Sequence, residues 1–134
     1  MPSGVVVDTV VWIDFFRGRN EPVRQQLRYL LRNQKVVLVG MVMAEVLQGI
    51  RSPSEQQQVE DHFTALPYQE ATREAWRVAA QLARNLRSDG KTVPLSDLLI
   101  AAIAMENDRS VFSTDPHFNV IPHLTLYESS RDIA

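Results

Sequence analysis

The sequence predicts an α/β fold, a central parallel sheet covered by helices on both faces, built as one domain over residues 1–134. Three observations carry this. Short apolar runs rich in valine (Val5-Val6-Val7, Val36-Val37-Leu38-Val39, Val111-Phe112) alternate with longer stretches of helical periodicity. At 134 residues the chain can bury one core but is too short for two. Finally, acidic residues stand just after strands or at the opening of helices, where parallel sheets place functional groups.

Each element follows from local signals. Val5 to Val7 reads as a short buried strand. Thr9 to Phe16 is apolar on most sides and stops at Arg17-Gly18, which predicts a buried helix with a glycine end. Asn20 is placed to cap a second helix with Pro22 in its first turn. Val23, Leu27, Leu30 and Leu31 form its apolar stripe, with Arg24, Arg28 and Arg32 recurring beside it. Val36 to Val39 is a second strand, followed by a short helix containing Glu45 and ending near Gly49. Ser52-Pro53-Ser54-Glu55 is a capping box with proline at the first helical position, and Pro67 stops the helix it opens. Tyr68 to Ala71 predicts a short third strand. Ala75, Ala79, Leu82 and Leu86 mark a long helix, with Trp76 read as part of the core, closed by Ser88-Asp89-Gly90. Asp97 to Asn107 is apolar nearly all round and so predicts an interior helix. Ser110 to Thr114 and Leu124 to Tyr127 complete the strands.

Composition narrows the function. Hydrophobic content of 45% with 22% charged residues fits a soluble globular protein. The absence of cysteine excludes disulfides, thiolate zinc sites and cysteine nucleophiles, and suits a cytoplasmic location. The N-terminus lacks the pattern of a signal peptide, and no apolar stretch approaches the ~18 residues of a membrane span. The net charge of −2 divides unevenly: residues 1–35 carry +3 and the remainder −5. A basic N-terminal third can therefore offer a local phosphate-binding surface on an acidic protein.

Asp8, Glu45, Asp97 and Asp115 come from four separate segments, yet all fall where a parallel sheet would direct them to one crevice. Singly, Asp8 has a structural role open to it as a helix cap, and Asp115-Pro116 as a turn opener. Glu45 and Asp97 lie in apolar segments where a lone carboxylate is costly to bury. Converging carboxylates repel one another. A hard divalent cation removes that penalty, since Mg²⁺ prefers carboxylate and water oxygens. The set reads as a metal site open to water, which points to phosphate chemistry.

Val6-Val7-Asp8-Thr9, Ala44-Glu45-Val46-Leu47-Gln48-Gly49-Ile50, Ser96-Asp97-Leu98-Leu99-Ile100-Ala101-Ala102 and Ser113-Thr114-Asp115-Pro116-His117-Phe118 together resemble the four motifs of PIN-domain ribonucleases, most of all the VapC-type toxins of toxin–antitoxin pairs. The resemblance spans almost the whole chain and keeps all four acids in order. It implies a three-layer α/β/α sandwich, endoribonuclease activity with Mg²⁺ or Mn²⁺, an RNA substrate, a homodimer and a cognate antitoxin. It also implies that Asp8, Asp97 and Asp115 hold the metal, that Glu45 completes the acidic rim, and that Asp97 or Glu45 takes the proton of the attacking water. Two departures stand out: His117 replaces an acid common two positions beyond the fourth, and Met41-Val42-Met43 stands where a hydroxyl residue is common.

Around the quartet, Thr9 and Ser113 either hydrogen-bond the metal-holding carboxylates or cap a helix start and a strand end. Arg17, Arg19, Arg24 and Arg28 are either a phosphate-contacting surface for RNA or a solvated helix face. His62, His117 and His123 lack zinc-ligand spacing and read as surface or capping residues. A receiver-type phosphoacceptor would show an acidic pair after the first strand and a late lysine. A haloacid-dehalogenase-type phosphatase would show Asp-x-Asp where this chain has Asp8-Thr9-Val10. The remaining rivals are a catalytically silent PIN-like module that binds RNA or protein, expected to lack one of the acids, and a housekeeping PIN nuclease.

Overall fold

The computed structural model describes residues 3–128. Its strands are β1 (Val5–Val7), β2 (Val36–Val39), β3 (Tyr68–Gln69) and β4 (Ser110–Phe112). Its helices are α1 (Thr9–Arg17), α2 (Glu21–Arg32), α3 (Gly40–Gln48), α4 (Pro53–Thr64), α5 (Arg73–Ser88) and α6 (Leu95–Glu106), with a 3₁₀ turn at Pro116–Val120. The four strands are parallel in the order β3-β2-β1-β4. Val6 lies between Val37 and Val111 in register, and the first, second and fourth strands are buried throughout. Burial on both faces is why β1 and β2 read as unbroken apolar runs rather than alternating patterns.

The order places a topological switch beside β1. The chain builds outward through β2 and β3 on one side, then returns to add β4 on the other. Crevices at the carboxyl ends of strands around such a switch are where open α/β sheets bind ligands. The segments that leave β1 and β4 therefore frame the site.

Helix packing holds this frame rigid. α6 is interior, with Leu98 to Ala104 all buried, and it packs on α5, on β1 and β4, and on α3. Trp12 in α1 is fully buried and meets Phe63 of α4 edge-on at 5.1 Å and Phe16 in a stack at 5.7 Å. Two caps match their sequence signals, as Ser52 accepts from the Glu55 amide and Gly18 ends α1 at φ 69°, and the structure adds Thr72, which accepts from the Ala75 amide. Asn20 precedes α2 without a side-chain capping bond.

Several expectations need correction. The strand expected at Leu124 to Tyr127 reduces to one parallel bridge, Leu126 to Val111, flanked by bonds from the Val111 amide to Thr125 O and from the Tyr127 amide to Val111 O. β4 itself has only three residues, so little edge is available to pair with. It stops at Phe112 rather than Thr114 because the Ser113 hydroxyl takes the Asp115 amide at 2.9 Å and turns the chain. The third strand covers Tyr68–Gln69 rather than extending to Ala71. Trp76 is 50% exposed rather than in the core: Ala75 and Ala79 occupy the inward face, and Trp76 lies about 100° round the helix from Ala75.

Candidate active site

The four acids reach the crevice by four local routes. Asp8 follows β1 directly, and its amide bonds Phe112 O at 2.9 Å, extending the β1–β4 pairing by one step. It occupies the cap position of α1, yet its side chain makes no capping bond. Its Oδ2 instead accepts a 2.7 Å hydrogen bond from the Ser113 hydroxyl across the strand ends. Asp97 lies in the first turn of α6, where the helix dipole favours a carboxylate. Asp115 follows β4 and opens the 3₁₀ turn, with its Oδ1 accepting from the His117 amide at 2.9 Å. Glu45 comes from α3, and its Oε1 accepts from the Thr9 hydroxyl at 2.8 Å.

Both hydroxyls, Thr9 and Ser113, thus donate to acids of the quartet. Each donation stabilises an ionised carboxylate and holds its rotamer. Met41-Val42-Met43 offers Glu45 no side-chain hydroxyl, and Thr9 of α1 donates to it instead.

Burial and like charge work against ionisation. Asp8 is 2% exposed, and burial is the main cause that pushes its carboxyl from 3.8 up to about 6, against the lowering effect of Ser113 and the Thr9 amide. Asp97 and Asp115 raise it further. The Asp97 carboxyl is also pushed above its ordinary value, by burial first and by Asp115 second, with a smaller push from Glu45 and a partial offset from His117. All four carboxylates therefore act on one field. Between two carboxylate charges within 4.8 Å the repulsion is on the order of 3 kcal/mol at an effective dielectric constant near 20.

The histidine is the residue that sequence reasoning missed. His117 Nδ1 lies 3.2 Å from Asp97 Oδ2 and 3.2 Å from Asp115 Oδ1. Asp97, Asp115 and His117 each present one ligand atom, all within 4.8 Å of one another. The signal lay in the spacing, since His117 stands two residues after Asp115. A set of buried and half-buried, mutually repelling carboxylates with one imidazole suits a divalent cation with open positions for water. A cavity of about 550 Å³ elsewhere, lined by Leu31, Val36, Leu66 and Pro67 among others, includes none of the four acids.

The arginines lie apart from this centre. Arg17 ends α1, eight residues and so about 12 Å along the helix from Thr9. It donates to Gly49 O at 3.1 Å and approaches Glu55 at 3.6 Å. Arg24 and Arg28 pair with Glu21 at 2.7 Å and 3.1 Å, and Arg24 also donates to Phe15 O. These pairs hold the exposed Glu21 carboxyl below its ordinary value, Arg28 foremost. Arg19 is exposed and makes no ion pair among the described residues.

Comparison with known proteins agrees with this geometry. The PIN domain family model matches residues 5–124. Ribonuclease VapC19 of Mycobacterium tuberculosis is 32% identical over 122 residues, covering 89% of this chain and 95% of that protein. Ribonuclease VapC11 of the same organism is 26% identical over 130 residues, covering 94% and 97%. Among solved structures, VapBC2 of Rickettsia felis, bound to a DNA fragment from its promoter, superposes with a TM-score of 0.78 at 20% identity, covering 94% of this chain and 98% of that one. The DNA-bound VapBC of Salmonella typhimurium gives 0.76 at 19% identity, covering 92% and 96%. A match over nearly the full sheet and all four acids leaves one conclusion: the chain belongs to the PIN-domain family.

Proposed function

We propose that this protein is a Mg²⁺- or Mn²⁺-dependent endoribonuclease acting as the toxin of a toxin–antitoxin pair in the cytoplasm. The observation that carries the reading is the meeting of Asp8, Glu45, Asp97 and Asp115 from four segments, with their repulsion left standing. A fold has no structural use for such an arrangement, whereas a cation site does. A silent PIN-like module would be expected to lack one of the acids, and none is missing.

Asp8, Asp97 and Asp115 would hold the cation, with Glu45 on the rim. When bound, a divalent cation acidifies coordinated water and offsets charge developing on phosphoryl oxygens. Glu45 lies outside the Asp97–Asp115–His117 group and is aimed by Thr9. It is our choice as the base. The water oxygen would form a bond to phosphorus as its proton passes to the Glu45 carboxylate, the bond from phosphorus to the sugar oxygen would break, and that oxygen would leave as a hydroxyl by taking a proton from solvent at the open side of the crevice. Ser113 and Thr9 keep Asp8 and Glu45 in place during this step.

For the substrate we offer Arg17, Arg19, Arg24 and Arg28 as phosphate contacts. Arg19 is ready as it stands, while Arg24 and Arg28 must first leave Glu21. The antitoxin would place an arginine among the acids, pairing bidentately with carboxylates in place of the cation. Its apolar side chains would lie against α1 and α2, where Val10 is 39% exposed. A homodimer is the natural cover for the exposed Tyr68 and Trp76 beside a cavity of about 350 Å³ that also includes Met41, Leu99 and Ile103.

The test is incubation of the purified chain with cellular RNA, with Mg²⁺, with Mn²⁺ and with EDTA, beside Asp97→Asn. Cleavage that needs the cation and Asp97 is expected. Full cleavage in EDTA would overturn the metal mechanism. A wild-type chain that is harmless when expressed alone, and that binds no neighbouring inhibitor, would overturn the toxin role and leave a housekeeping nuclease.

A further inference from the structure

We propose that His117 is itself a ligand of the bound cation and sets its identity, giving a mixed nitrogen and oxygen site that takes Mn²⁺ in preference to Mg²⁺. The proposal rests on the metal-dependent reading above and goes beyond it. Its basis is the placement of one atom. Nδ1 of His117 stands at the same 3.2 Å from Asp97 Oδ2 and from Asp115 Oδ1. A ring nitrogen carries at most one proton and cannot donate well to two oxygens at once. Adjacent ligands around an octahedral ion with bonds of ~2.1 Å are themselves about 3 Å apart. The two nitrogen–oxygen spacings thus match neighbouring ligands on one ion, and the two oxygens lie within 4.8 Å of each other.

The placement is built in rather than adopted by a loose surface side chain. The backbone of His117 is tied to Asp115 through its amide at 2.9 Å, and the neighbouring Phe118 is 1% exposed and anchors the 3₁₀ turn in the core. The Asp97 side chain is 12% exposed and that of His117 is 43% exposed, so one side of the group is walled by protein and the other is open to water. Coordinated water can then complete the shell on the open side.

Identity follows from donor chemistry. Mg²⁺ is a hard ion that binds oxygen and gains little from imidazole. First-row transition dications gain from a nitrogen donor, by amounts that rise from Mn²⁺ towards Cu²⁺. An acid at position 117 would make an all-oxygen site suited to Mg²⁺. Histidine there moves the preference towards the transition ions.

Mn²⁺ alone is the probe. Pulsed electron paramagnetic resonance of the Mn²⁺-loaded chain should show nitrogen hyperfine coupling, and His117→Ala should abolish it while His62 and His123 remain. Loss of even the partner of a ligand lowers metal affinity by about 10–100-fold. His117→Ala should therefore weaken Mn²⁺ binding at least ~10-fold by that measure, with Mg²⁺ binding nearly unchanged, and His117→Asp should restore a site that favours Mg²⁺. Mn²⁺ bound in an Asp97-dependent manner without nitrogen coupling, or equal losses for both ions in His117→Ala, would overturn the role of His117 and leave the metal site standing. Absence of any Mn²⁺ uptake that Asp97→Asn removes would overturn the metal-dependent reading and this proposal with it.

Discussion

Two charged regions of this molecule obey opposite rules. Along α2, Glu21 sits between Arg24 and Arg28, and every charge in the group has a partner of opposite sign at the surface. At the carboxyl ends of β1 and β4, acids gather with like sign, one of them 2% exposed, and burial, together with the like charges, raises the Asp8 and Asp97 carboxyls despite the hydrogen bonds they accept. The first arrangement is nearly neutral for stability, because exposed pairs contribute little. The second is unfavourable for the folded chain taken alone. Groups held at a cost to the fold mark chemistry, whereas groups that satisfy each other mark a surface. The contrast separates two sets of residues that look equally conspicuous in the sequence.

The contrast is broken most severely at Asp97. Asp97→Asn is expected to lower RNA cleavage by roughly 100-fold or more, beyond what loss of a ligand's partner costs. The same variant should melt at or above the wild-type temperature in metal-free buffer, because it removes one of the repelling charges. Loss of activity together with a lower melting temperature would mean that Asp97 holds the fold rather than the cation.

Next in size is the pH dependence set by Asp8. Its carboxyl is raised from 3.8 to about 6 in the folded protein, so between these values the folded chain keeps a proton that the unfolded chain has released. Stability without metal should therefore fall as pH rises through that window and level off above it. Asp8→Asn should flatten this fall, with a gain on the order of 2 kcal/mol at pH 8 and none near pH 3. Cation affinity should weaken below about pH 6, as protons compete for the carboxyl. Denaturant titrations across pH check the first part and calorimetric Mn²⁺ titrations the second.

Smaller effects should follow from the hydroxyls. Ser113→Ala and Thr9→Val each remove one donor to an acid, and each should lower metal affinity or cleavage about tenfold. Circular dichroism should be unchanged in both. An effect in only one of them would show which acid needs its orientation held.

The smallest change is expected on the α2 side. Arg24→Gln with Arg28→Gln should alter stability by no more than about 1 kcal/mol. On an uncleaved single-stranded RNA, Arg19→Gln should flatten the salt dependence of binding by ~0.7 in log–log slope. For the double variant to add to this flattening, Arg24 and Arg28 must first leave Glu21 when RNA binds. Equal flattening by the double variant would mean that the Glu21 pairs open on RNA, and the contrast between the two regions would then be one of degree.

Much of this was legible in the residues themselves. Unbroken apolar runs of three and four residues leave few alternatives to a strand buried on both faces, and Ser52 with Glu55 marks a helix start without help from distant contacts. The four acids and their order were equally plain, since Asp8, Asp97 and Asp115 stand close to boundaries between elements and Glu45 lies in the short helix after β2. Trp76 was not legible, because an apolar residue next to an inward stripe can face either way, and only the packing of α5 on α6 decides. Leu124 to Tyr127 was not legible as a single bridge, because pairing length depends on the partner strand.

The sequence alone therefore determined the alternation of elements, the caps and the four carboxylates, since these depend on local propensity and on the period of burial. Tertiary structure alone decided which groups meet. It joined Thr9 to Glu45 across 36 positions and Ser113 to Asp8 across 105, and it set His117 between Asp97 and Asp115. Sequence distance carries no information about such meetings. They arise where β2, β1 and β4 are laid side by side, and such a hydrogen bond is decided by tenths of an ångström that only the packed fold defines.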